Sequence, residues 1–222
     1  MLDFSQPGLA VFDMDSTLIT IECIDEIAAL VSRKPEIAAI TEAAMRGELD
    51  FVASLRQRVA ALAGIGESQF QRLFDPIPLT PGASALCQWL QEQHWRIVIA
   101  SGGFTWFAER LQKQLNIDAV CANELEWQQG QLTGRVVEPV VDAERKAEAL
   151  RDYASRWEIP LTNTLAIGDG ANDIQMLEAA ACGVAFCAKS RLKAVADIII
   201  DEPDLSTLIQ VLMTGKAAHG KD

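Results

Sequence analysis

The chain lacks an excess of positive charge, any CxxC pair, and any hydrophobic run long enough to cross a bilayer. Its 19 Lys and Arg face 31 Asp and Glu, a formal net charge of −12, which argues against broad attraction to nucleic acid or to an anionic membrane, so neither is expected as a partner. An anionic substrate must then find local positive charge, from a metal ion or from a few placed Lys and Arg. The five cysteines, Cys23, Cys87, Cys121, Cys182 and Cys187, form an odd set. With no paired spacing and no Cys/His cluster, they predict free buried thiols in a reducing compartment, not a disulfide framework or a zinc site. No segment approaches the ~20 apolar residues of a membrane span. The N-terminal MLDFSQPG has no basic stretch before its short apolar run, so no signal peptide is expected. Together these absences predict a soluble cytoplasmic protein; monomer and homodimer both stay open. Internal repeats, low-complexity segments and long single-sign charge runs are also missing.

What is present is a core-forming composition. Half of the 222 residues are hydrophobic, enough for one substantial core with a small insertion. Short apolar runs at Leu9 to Phe12, Arg96 to Ala100, Thr164 to Ile167 and Val184 to Cys187 read as buried strands of a parallel sheet. Each ends in small or polar residues and leads into a segment with helical period. That alternation predicts an α/β fold with a parallel sheet flanked by helices, whose ligands sit at the carboxyl ends of the strands. Ile21 to about Phe74 breaks the alternation, with helical periodicity and no convincing strand. It reads as a small helical cap inserted after the first strand, residues 20–78, between two parts of a core, 1–19 and 79–222. The return linker from Asp75 to Gly82 is proline-rich, as a domain junction should be. ANELEWQQGQLTGRVV, residues 122 to 137, reads as a β-hairpin turning at Gln129-Gly130 and appended to the sheet.

The chemistry-bearing residues stand at the strand ends. Asp13 and Asp15 close the first strand in VFDMDST; taken alone, Asp15 or Ser16 reads equally as a helix cap. Asp169 and Asp173, in GDGAND, end another strand, and parallel strand ends share one edge. Three or four acids converging there repel one another unless a hard cation intervenes, and oxygen-only ligands favour Mg²⁺. Ser101-Gly102-Gly103 offers a hydroxyl and close backbone N–H groups to a phosphate oxygen, or else is an ordinary turn. Lys146 is, by itself, a solvated helix lysine as readily as a ligand. Neither His94 nor His219 lies in these turns, which argues against a phosphohistidine mechanism.

The order Asp13-Met14-Asp15-Ser16-Thr17, Ser101, Lys146, Gly168-Asp169-Gly170-Ala171-Asn172-Asp173 resembles the haloacid dehalogenase superfamily of aspartate-nucleophile phosphatases. Glu22 in IECIDEIA, the segment MRGELDFVASLRQRV, SGGF and VVDAERKAEAL narrow the resemblance to the members that hydrolyse O-phosphoserine. It runs from Leu9 to about Leu212. The resemblance implies a Rossmann-like core with a cap, and Mg²⁺ as cofactor. It implies Asp13 as nucleophile and Asp15 as proton donor and acceptor. Mg²⁺ would be held by the Asp13 side chain, the Asp15 carbonyl and Asp169, with Asp173 in support. Ser101, Gly102 and Lys146 would bind phosphoryl oxygens, while Asn172 orients substrate, Lys146 or water. Glu22 would take the substrate ammonium and Arg58 its carboxylate, under a cover of Phe51 and Met45. Without the resemblance, Glu22, Phe51 and Arg58 read as a solvated acid, a core residue and a surface ion-pair partner. The same chemistry on another small phosphomonoester, a phosphotransferase, and a non-catalytic phosphoserine-binding protein are the competing readings. Many relatives carry a further N-terminal regulatory domain; with eight residues before the first strand, control of that kind is not expected.

Overall fold

A strand of four apolar residues, none of them exposed, can exist only if both of its faces are covered. β1 (Leu9–Phe12) is such a strand. The computed structural model describes residues 2–30, 32–45, 48–71, 73 and 77–214. Around β1 lie β2 (Arg96–Phe104), β3 (Ala119–Gln128), β4 (Gln131–Val137), β5 (Thr164–Gly168), β6 (Cys182–Phe186) and β7 (Ile198–Ile200). They form one seven-stranded sheet of order β4-β3-β2-β1-β5-β6-β7. Every pairing is parallel except β3 with β4. Side chains alternate along β1: Ala10 and Phe12 enter one core, Leu9 and Val11 the other. The first core is covered by α5 (Ala83–Glu92), α6 (Thr105–Leu115) and α10 (Ser206–Thr214). The second lies under α7 (Ala143–Arg156), α8 (Ile174–Ala179) and α9 (Ser190–Lys193).

The chain winds outward from β1 through β2 and β3, then crosses back to β5 on the other side of β1. Strand order reverses there, and the crevice at the carboxyl ends of β1, β2 and β5 is where such sheets take ligands. Between β1 and α5 the described residues hold only helices and turns: α1 (Cys23–Leu30), α2 (Lys34–Met45), α3 (Phe51–Ala60) and α4 (Glu67–Phe70). The insertion leaves and re-enters side by side. Ile19 bridges Leu79, Thr20 N–H donates to Pro78 O (3.1 Å) and Thr80 N–H to Leu18 O (2.9 Å). Phe74 at the end of the insertion, Asp75 and Pro76 of the predicted linker, and the tail 215–222 with His219, lie outside the described residues.

Four expectations change. The second strand does not stop at Ala100 but runs to Phe104, with a bulge between Ser101 and Phe104 opposite Ala122 and Asn123, so the glycines signal a bulge and not a turn. The hairpin is appended to the sheet's edge as expected, but β3 begins at Ala119 and not at 122; it pairs with β2 before turning at Gln129 (φ 52°) and Gly130 (φ 75°) to meet β4. β7, three residues between charged segments, was too short to announce itself. All five cysteines are free, yet only Cys23 and Cys87 are buried, and Cys187 is exposed at the rim after β6. The hairpin also holds the insertion's foot. Gly64 N–H donates to Leu132 O (2.8 Å), Leu132 N–H to Ile65 O (2.9 Å) and Glu67 N–H to Gly130 O (3.0 Å), which covers part of the β4 edge.

Candidate active site

Asp13 continues β1 by donating its N–H to Ile167 O (2.9 Å) of β5, and its Oδ1 accepts the Met14 N–H at 2.7 Å. The residue is 5% exposed. The turn Met14–Leu18 that follows has Asp15 extended and Ser16 left-handed, at φ 55°. This swings the Asp15 carboxyl back to the start of α1, where Oδ2 accepts the Cys23 N–H (3.2 Å). Asp15 thus bonds the first N–H of α1, as a capping residue does, and also lines the cavity. Its Oδ1 is buried with no hydrogen-bond partner among the described residues. Burial, with Glu22 and Asp13 adding repulsion, pushes the Asp15 carboxyl up to about 8. It is thus protonated at neutral pH.

The end of β5 supplies the other acids. Asp173 Oδ2 accepts the N–H of Gly170 (3.0 Å) and of Asp169 (3.2 Å). This fold-back is possible because residue 168 is glycine: a Cβ there would lie 2.4 Å from Asp173 Cγ. Lys146 reaches in from α7 with its Nζ 2.7 Å from Asp173 Oδ1 and 3.0 Å from Asp13 Oδ1, 0% exposed. It is not a solvated helix lysine. Burial opposes its charge, but Asp13 and Asp173 outweigh burial and hold its ammonium above the ordinary lysine range. Burial, then Asp13 and Asp173, pushes Asp169 up to about 7; burial, then Asp13, raises Asp173 to about 6. Oxygens of Asp13, Asp169 and Asp173 lie within 4.8 Å of one another. A set of three carboxylates, hard donors whose repulsion a dication relieves, fits a hard metal ion.

Ser101 and Gly102 sit in the β2 bulge. Ser101 is 1% exposed, and its Oγ accepts the Gly103 N–H at 3.0 Å. The inserted helices close the opposite wall of a cavity of about 420 Å³. The core lines it with Asp13, Asp15, Ser101, Gly102, Asp169 and Asn172, and the insertion with Glu22, Phe51 and Arg58. Glu22 accepts the Ser16 hydroxyl (2.7 Å), and a Cβ on Gly102 would come 3.0 Å from Phe51 Cζ. The Arg58 Nε lies 3.4 Å from Ser54 O. The Met45 side chain lies outside the described residues. Two residues escaped the sequence reading. Lys189, after β6, lines the cavity. Asn123, 1% exposed, donates to Gly102 O (2.8 Å) and accepts the Val141 N–H (2.8 Å); its only signal was a poor strand former inside a strand pattern.

A buried strand-end aspartate is thus paired with a buried lysine beside a second acidic loop, at the carboxyl edge of the sheet. Residues 10–178 match the haloacid dehalogenase-like hydrolase family, and the chain belongs to that family. Within it the chain is 57% identical over 205 residues to the phosphoserine phosphatase of Idiomarina loihiensis, covering 92% of this chain and 93% of that one. It is 48% identical over 204 residues to phosphoserine phosphatase SerB2 of Mycobacterium tuberculosis, covering 92% of this chain and half of that longer one. Among solved structures, a phospho-aspartyl intermediate analogue of phosphoserine phosphatase superposes with TM-score 0.85 at 38% identity, over 94% of this chain and 98% of that one.

Proposed function

We propose that the chain is a Mg²⁺-dependent phosphoserine phosphatase of the cytoplasm, hydrolysing O-phosphoserine to serine and phosphate as the last step of serine biosynthesis. One observation carries the reading. Two carboxyls in unlike surroundings face one cavity: Asp13 lies 3.0 Å from a buried ammonium, and Asp15 is raised by burial and has no such partner among the described residues.

In this reading a carboxylate oxygen of Asp13 attacks phosphorus and the bond from phosphorus to the serine oxygen breaks, leaving an aspartyl-phosphate. The unpaired Asp15 Oδ1 is the place from which a proton passes to the departing serine oxygen. Water then attacks the phosphorus, its proton returns to Asp15, and phosphate leaves Asp13 free. Ser101, the Gly102 N–H and Lys146 hold the phosphoryl oxygens, and the buried lysine does so without a hydration shell to shed. Mg²⁺ would be held by the Asp13 side chain, the Asp15 carbonyl and Asp169, and supplies neutralising charge that lets an anionic nucleophile meet an anionic phosphate. Asp173 has both oxygens committed to Lys146 and to backbone N–H groups, which suits a supporting role.

Residues 20–78 form the cap in this proposal, with 1–19 and 79–222 as the core. Glu22 takes the substrate ammonium, Arg58 its carboxylate, Phe51 and Met45 cover it, and Asn172 orients it. The test is phosphate release from a panel of phosphorylated amino acids, sugars and nucleotides, with and without Mg²⁺, using Asp13→Asn as the blank. Turnover of phosphoserine that needs Mg²⁺ and vanishes in the blank supports the reading. No release from phosphoserine, or a fully active Asp13→Asn protein, ends it.

A further inference from the structure

Ser101 and Gly102 come from the end of β2, whereas Lys146 comes from α7, 44 residues further along the chain than Gly102 by the numbering. If both are to grip one phosphoryl group, something must fix the distance between them. The bulge makes this harder, because Ser101 pairs with Ala122 and Phe104 with Asn123, so Gly102 and Gly103 fall outside the ladder. The carbonyl of Gly102 then needs a donor from elsewhere.

Asn123 supplies it. Its Nδ2 donates to Gly102 O at 2.8 Å and lies 3.5 Å from Val141 O, and its Oδ1 accepts the Val141 N–H at 2.8 Å. One carboxamide thus treats Val141 as a strand partner would, while holding the bulge with the same nitrogen. Asp142, the next residue, caps α7 by accepting the Arg145 N–H (2.9 Å), and its carbonyl accepts the Lys146 N–H (3.0 Å). From Gly102 to Lys146 the connection is unbroken: bulge, carboxamide, cap, lysine. Asn123 is 1% exposed, so no water substitutes for it readily.

We infer that Asn123 is a positioning residue that sets the spacing between the Ser101–Gly102 bulge and the helix carrying Lys146, and so the fit of the phosphoryl group between them. The inference rests on the phosphatase reading for the roles of Ser101, Gly102 and Lys146.

Asn123→Ala removes both halves of the bridge; Asn123→Ser keeps one hydroxyl, which can serve only one of the two partners, adds no buried charge and guards against a variant that fails to fold. Asn163→Ala is the structural control. Asn163 is also buried and also bridges backbone, from Asp3 (3.0 Å) to Pro7 (3.1 Å), but away from the cavity. Thermal unfolding, phosphoserine turnover and calorimetric binding of inorganic phosphate are measured for all three. All three should lose stability. The two Asn123 variants alone should lose kcat by about 100-fold, the cost of misplacing groups by about an ångström, and bind phosphate about tenfold more weakly. Wild-type kcat and phosphate affinity in the folded Asn123 variants, or equal losses in Asn163→Ala, overturn the inference. If the wild type releases no phosphate from phosphoserine, the functional reading fails, and phosphate binding still decides the role of Asn123.

Discussion

Lys146 and Asp173 meet at 2.7 Å with neither side chain more than 1% exposed. The same ammonium is 3.0 Å from Asp13, itself only 6% exposed in its side chain. One buried cation therefore compensates two buried anions. Breaking such an arrangement from one side costs more than the pair itself is worth, because the partners left behind stay buried and unpaired.

Lys146→Met keeps the volume and removes the charge. It should lower stability by about 3–5 kcal/mol in denaturant titration and reduce kcat by ~10²–10³, the usual cost of a missing donor to developing charge. The fold raises the lysine's pKa, so its contribution is fully present below the unfolded value and is lost only as pH rises through the folded one. At pH 7 the deficit is thus measured in full. A variant as stable as the wild type would show that the ion pair contributes nothing.

Burial, with the Asp13 charge, raises Asp169 to about 7 and Asp173 to about 6 in the fold, above the 3.8 of a free aspartate. Between those limits the native state holds protons that the unfolded chain has released, so the stability of the metal-free protein should fall as pH rises from about 4 through about 7. Mg²⁺ should reverse the trend, adding about 2.7 kcal/mol at a concentration ~100 times its Kd. Asp169→Asn removes one of the repelling charges. Without metal it should be more stable than the wild type at pH 7.5, and Mg²⁺ should raise its Tm far less. Equal melting curves with and without Mg²⁺ at pH 7.5 would remove the metal from the site.

How much of this was legible in sequence depends on how local each signal is. Asp13 and Asp169 announced themselves because an acid ending an apolar run is visible within a few residues, and a parallel sheet brings such ends together. The burial of Lys146 was not visible, because it follows from how α7 docks and not from VVDAERKAEAL itself. Ser101-Gly102-Gly103 read as a phosphate-binding loop or an ordinary turn, in either case beyond the end of the strand, because glycine usually signals such a break. In the fold neither glycine takes a positive φ; the space above them, bounded by Phe51 and Met14, demands their small size. Asn123 became recognisable only with the strand register known. The unpaired Asp15 oxygen depends on a fold-back onto Cys23 that no pattern in the sequence states.

Glu22 and Arg58 face the cavity from the insertion, and among the described residues their hydrogen bonds go to Ser16 and Ser54, not to the groups proposed for phosphoryl transfer. Both should govern which ester is accepted, and Glu22, whose charge helps raise the Asp15 carboxyl, should also change kcat for every ester alike. Arg58→Ala should raise KM for phosphoserine and for phospholactate, which carry a carboxylate, and leave phosphoethanolamine nearly unchanged. Glu22→Gln should do the reverse in KM, sparing that of phospholactate. Each selective loss should be about 10- to 100-fold in kcat/KM, the value of a charge-assisted hydrogen bond of roughly 1.5–3 kcal/mol. A KM that rises equally for all three esters would assign both residues to the fold instead.

The two bulge glycines should fail differently when enlarged. A Cβ on Gly103 would lie 2.5 Å from Met14 Cε, 3.2 Å from Asp15 Oδ2 and 3.2 Å from Ser101 Oγ, whereas one on Gly102 would meet chiefly Phe51 Cζ at 3.0 Å. Met14 can turn its terminal methyl aside, but Asp15 and Ser101 are the proton donor and a phosphoryl ligand in the proposed reaction, so Gly103→Ala forces them apart. It should lower kcat by about 100-fold with little change in KM. Gly102→Ala presses on the ring that covers the substrate and should act mainly on KM. Since neither glycine has a left-handed backbone, loss of conformational freedom does not account for these effects, and alanine should if anything restrict the unfolded chain by roughly 0.4–1 kcal/mol. Steady-state kinetics alongside thermal unfolding separates contact from backbone strain. A folded Gly103→Ala protein with wild-type kcat means that Asp15 and Ser101 have room to shift without cost, and that their spacing does not limit the reaction.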